Sequence, residues 1–144
     1  MAFYGGEHWL RDAEKVALLD QIVKKGIHLR VLVNTQESIE NIFPHLRQRR
    51  REYMEIDKAI SVWKQRWESD FPGILEVRVS DIPLLHRVYL IRKKDGTGAA
   101  HLTCYTYGNY SPEKDFKLSF GKDAPEFSLF ANEFDYLWEH AKEG

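Results

Sequence analysis

Strand, helix and strand follow one another within about the first 33 residues, and that order constrains the fold more than any other feature of the chain. Ala2-Phe3-Tyr4 is a short extended run ended by Gly5-Gly6. Apolar residues then recur at helical spacing at Ala13, Val16, Ala17, Leu19, Ile22 and Val23, which predicts a helix from about Leu10 to Lys25. Gly26 stands where a glycine just past the last turn ends a helix. Ile27 to Val33, rich in β-branched residues and closed by Asn34, reads as the second strand. Such a unit implies a parallel pair of strands joined by a right-handed crossover, and therefore an α/β domain.

The middle of the chain predicts one long charged helix, from the first turn at Pro44 to about Ser69, with Leu46, Tyr53, Ile56, Ile60, Trp63 and Trp67 as its apolar stripe. Phe71-Pro72-Gly73 breaks it. Ile74–Val79 then reads as a strand. His86–Arg92 and Ala99–Tyr107 read as an antiparallel hairpin about the polar turn Lys93–Gly98, and Phe116–Phe120 alternates as an edge strand does. Asp123-Ala124-Pro125-Glu126 has the form of a capping box for a last helix, with Asp123 as the cap. Phe127, Phe130, Phe134, Leu137, Trp138 and Ala141 would form its buried face.

A chain of 144 residues, 43% hydrophobic and 13% aromatic, has enough apolar side chain for one real core and too much for a disordered segment. No repeat or linker divides it, so residues 1–144 are read as a single domain. The brevity of the first strand suggests a domain cut from, or related to, a longer protein. The 21 basic and 22 acidic residues leave a formal net charge of -1, so no global field draws the chain onto nucleic acid or an anionic membrane. Cys104, the single cysteine, excludes an internal disulfide and a cysteine-built zinc site, and its apolar surroundings read as core. No apolar run reaches the ~20 residues of a membrane span, and the first residues do not resemble a signal peptide. The expectation is a cytoplasmic protein without metal or cofactor.

Candidate chemistry gathers in three places. His86 and His101 flank the hairpin turn, with Tyr105 and Asn109 beyond; a histidine titrating near neutrality suits nucleophilic or acid–base attack on a phosphodiester. Glu7 and His8 follow the first strand at its carboxyl end, where open α/β sheets bind ligands. Arg47, Arg49, Arg50 and Arg51 form a possible anion patch, although Glu52, Glu55 and Asp57 follow at once, as on a solvated helix face.

The run Lys25–Val33 resembles the opening of a phospholipase D-like half, as does Leu85–Ile91 leading into a turn. More narrowly, the chain resembles a bacterial group of phospholipase D-like domains often attached to helix-turn-helix regulators. A Gly-x-x-x-Leu-like opening, the long central helix, Tyr105-Thr106-Tyr107-Gly108 and the closing run Phe130–Trp138 carry that resemblance. It implies a mixed β-sheet with an N-terminal βαβ unit, a long central helix and a C-terminal helix. It also implies an active site of the form His-x-Lys-x-x-x-x-Asp, used in pairs. Aligning His86 with that histidine puts Val88 at the lysine position and Lys93 at the aspartate position, so both supporting residues are lost. Gly108-Asn109 resembles a small polar motif downstream in that family, at a longer spacing.

Three functions stand at this point. One is a catalytically degenerate sensing or interaction module for a nucleotide-like or other anionic ligand, or for a second copy of itself. Another is an active phosphodiesterase or nuclease using His86, with His101, Tyr105 or Arg87 in place of the lysine; it requires His86 and His101 to share a cleft. The third is a dimerisation or effector domain of a transcription regulator.

Overall fold

The computed structural model describes residues 2–4, 13–35, 37–38, 58, 61–62, 65, 69–70, 72–84, 86–104 and 116–143. In chain order the elements are β1 (Ala2–Tyr4), α1 (Ala13–Lys24), β2 (Leu29–Asn34), β3 (Leu75–Ser80), β4 (His86–Arg92), β5 (Gly98–Cys104), β6 (Phe116–Gly121), α2 (Pro125–His140) and β7 (Lys142–Glu143). Among the described residues the strands form one sheet in the order β6-β5-β4-β1-β2-β3-β7. β1, β2 and β3 run parallel, while β4, β5, β6 and β7 join antiparallel. The result is a mixed sheet flanked by two helices, one near each terminus.

α1 stops where its sequence requires. Gly26 takes φ +69, a conformation that side chains with a Cβ rarely adopt. Its amide donates to the Val23 carbonyl, and the Ile27 amide donates to that of Ile22, the two bonds of a Schellman motif. Ile27 is spent on that motif and stands exposed, so β2 begins at Leu29 and not at Ile27. Val16, Ile22, Leu19 and Val23 face the sheet as the periodicity predicts, but Ala13 and Ala17 are exposed.

The sheet separates two apolar clusters. On one face Leu19 and Val23 of α1 pack on Leu29, Val31, Val33, Leu75 and Val77. On the other, Phe127, Ala131, Phe134, Leu137 and Trp138 of α2 pack on Leu32, Val88, Leu90, Ala100 and Leu102. Phe130, Cys104 and Ala141 border this second cluster. Arg78 on β3 ties down the end of α2: its Nη1 donates to the Trp138 carbonyl at 2.7 Å and its guanidinium lies 4.8 Å from the Trp138 ring centre. The same carbonyl also accepts from the Ala141 amide of the C-cap at 3.4 Å, and a cation at a helix C-terminus complements the helix dipole.

α2 corrects the expected capping box. Its N-cap is Ala124, in extended conformation with no side-chain cap, and Pro125 is the first helical residue. The residue before a proline is driven out of the helical region, so Ala124 cannot continue a helix capped at Asp123. The Ala124 carbonyl accepts from the Phe127 amide instead. β7 answers to no sequence signal; Lys142 beside Asp81 anchors it to β3, and that carboxylate holds the ammonium above the usual lysine value. The long central helix lies largely outside the described residues, of which Lys58, Ser61, Val62, Gln65, Ser69 and Asp70 are helical.

Candidate functional site

β4 and β5 pair in unbroken register from His86 opposite Cys104 to Arg92 opposite Gly98. Because successive side chains on a strand point to opposite faces, His86, Val88, Leu90 and Arg92 share the α2 face with Cys104, Leu102 and Ala100. Arg87, Tyr89 and Ile91 share the α1 face with Thr103, His101 and Ala99. The two clusters confirm this assignment: Val88, Leu90 and Cys104 belong with α2, and Tyr89 with α1.

His86 is held by two side chains of α2. Its Nε2 lies 2.9 Å from Glu133 Oε2, and its ring meets Phe130 edge-on with centroids 5.6 Å apart. An ionised carboxylate only accepts hydrogen bonds, so Nε2 carries the proton on this side. A carboxylate behind an imidazole orients it for acid–base or nucleophilic work. Attack on a phosphodiester also needs a cation where negative charge collects. Val88, which the phospholipase D-like resemblance would align with a lysine, is 0% exposed and packed in the cluster beneath α2. A lysine there would lie in an apolar interior that penalises its charge.

His101 is exposed on the opposite face, its Nδ1 2.8 Å from Ser119 Oγ on β6. The structure therefore does not bring the two histidines into one cleft. Arg87 follows His101 to that face. Glu7, His8, Tyr105, Asn109, Arg47, Arg49, Arg50 and Arg51 lie outside the described residues. Glu133 was missed by sequence reasoning, yet a signal exists. It stands three residues after Phe130 and four before Leu137, on the buried stripe itself, where a carboxylate wants a polar partner.

The carboxyl ends of β2 and β3 are closed by neutral polar groups. The Asn34 amide donates to Ser38 Oγ and to the Ile82 carbonyl, each at 3.0 Å, and its Oδ1 accepts from the Leu84 amide at 3.1 Å. Ser80 Oγ and the Ile82 backbone bond to each other. These bonds bind the segment between β3 and β4 to the end of β2, and the carboxylate of Asp81 just beyond β3 is paired with Lys142.

At the other end of the sheet a cleft of about 280 Å³ is lined by His28, Arg30, Glu76, Leu90, Arg92, Phe134 and Asp135. No group of three His, Cys, Asp or Glu side chains among the described residues is arranged to hold a metal ion. No helix among them is long and apolar enough to cross a membrane. Comparison of the chain with protein-family models, with curated proteins and with solved structures finds no match.

Proposed function

We propose that the chain is a catalytically silent, phospholipase D-like domain that acts as a cytoplasmic ligand-sensing or interaction module. The burial of Val88 carries this reading. His86 keeps an orienting carboxylate, while position 88, which the resemblance would give to a phosphate-neutralising lysine, is a valine in the core. A mixed sheet with helices on both faces is compatible with such a domain, but fold alone does not give function. The face assignments of His86 and His101 speak against the phosphodiesterase alternative.

The test is steady-state hydrolysis of bis(4-nitrophenyl) phosphate by the full chain and by His86→Ala. Equal, background rates are expected; turnover that His86→Ala abolishes would refute the proposal. A thermal-shift screen against nucleotides, cyclic dinucleotides and headgroup phosphates tests the sensing half. A ligand at a hundred times its Kd adds about 2.7 kcal/mol, a shift of several degrees in a domain of this size.

A further inference from the structure

Arg30 on β2 and Arg92 on β4 reach the cleft from either side of β1, at the amino end of the parallel strands. Arg92 lies six positions beyond His86 on β4, about 20 Å along an extended strand. Both guanidiniums turn toward the same carboxylate, yet neither reaches it well. Arg30 Nη2 is 3.7 Å from Asp135 Oδ1, and Arg92 Nη2 is 3.9 Å from Oδ2. An Arg–carboxylate pair built for stability closes to about 2.8 Å and is often two-pronged. Among the described residues neither guanidinium donates a hydrogen bond to any protein group, although each carries five N–H donors.

Arg30 is nevertheless fixed. Its guanidinium lies over two rings, 5.3 Å from the Phe134 ring centre and 5.5 Å from that of Trp138, cation–π contacts that hold it in place without using its N–H donors. Asp135 is 45% exposed and Arg92 50%, so the loose ion pairs between them contribute little and are cheaply displaced. Leu90 and Phe134 supply an apolar floor, and Glu76 closes the lining with a second carboxylate. That carboxylate repels an extended polyanion and restricts an occupant to one anionic end.

We propose that this cleft binds a small-molecule oxyanion, a phosphate monoester or a carboxylate, which takes the place of Asp135 between Arg30 and Arg92. The proposal rests on the sensing reading above and gives it a ligand class and a location remote from His86. Asp135 is then a resident competitor that keeps the two guanidiniums apart from weak anions.

The experiment is a titration of the ¹⁵N-labelled full chain with inorganic phosphate and, separately, with citrate, followed at the arginine Nε–H resonances. Saturable shifts at Arg30 and Arg92 are expected with at least one of them, and the responding anion identifies the phosphate or the carboxylate source. Arg92→Gln should weaken binding about tenfold, the loss of one charge-assisted hydrogen bond. Asp135→Asn should tighten it, and His86→Ala should leave it unchanged. Shifts that never saturate, or an affinity indifferent to Arg92→Gln, overturn the proposal. Saturable shifts of the backbone amides around His86, with the Arg30 and Arg92 resonances unmoved, overturn this site while sparing the sensing reading, which fails separately if the thermal-shift screen is blank or His86-dependent hydrolysis appears.

Discussion

Asn34 uses one short amide to join the end of β2 to Ser38 and to the backbone at Ile82 and Leu84. Alanine there removes these bonds and leaves part-buried backbone groups without them. Asn34→Ala should therefore cost about 2–3 kcal/mol, read from the shift in urea midpoint. Asp95 does comparable work in the hairpin turn, where its carboxylate accepts from the Thr97 hydroxyl at 2.6 Å and the Thr97 amide at 2.9 Å. These bonds, the hydroxyl first, hold its pKa below the usual aspartate value. A folded pKa below the unfolded one means that the contribution is present above the ordinary value near 3.9 and is lost as pH falls through the folded value. The Thr97 amide shift should report this transition in acid, and Asp95→Asn should abolish it. His86 illustrates the limit of reading single residues: only the packing shows that Glu133 lies against it and that Val88, two positions on, is core.

Among the elements, the β4–β5 hairpin was the most legible in the sequence, because alternation and the Lys93–Gly98 turn signal agree. The Gly96 amide donates to the Lys93 carbonyl and Gly96 takes φ +85, the geometry of a tight turn closed by a left-handed residue. Gly98 has a different reason to be glycine: a Cβ there would collide with the Ile91 carbonyl oxygen on the paired strand. Gly98→Ala should destabilise the fold by about 1–3 kcal/mol, whereas a Cβ at Gly121 meets nothing within 4 Å and Gly121→Ala should stay within about 0.5 kcal/mol. Parallel denaturation curves of the two variants check both. The start of α2 was less legible. Two capping registers compete there one residue apart, and the proline's effect on Ala124 decides between them.

At the scale of the molecule, α2 fills one face of the sheet and α1 the other. Phe134 is 1% exposed and packs on Trp138 with ring centroids 5.5 Å apart. Phe134→Ala should cost about 3–5 kcal/mol, while Leu129→Ala, at a site 64% exposed on the same helix, should cost little; urea midpoints of the pair separate the two cases. Phe134 also supports Arg30, so the core and the cleft share a side chain. What the sequence determined by itself is local. The βαβ opening, the glycine stop of α1, the hairpin and, Ala13 and Ala17 apart, the apolar faces of both helices follow from period, turn chemistry and backbone sterics, which act over a few residues. Only the tertiary structure decided that His86 meets Glu133, that His101 turns away, and that Arg30 and Arg92 converge on Asp135. Those pairings join residues 18 to 105 positions apart, and sheet order and helix placement bring them together, which no local pattern encodes.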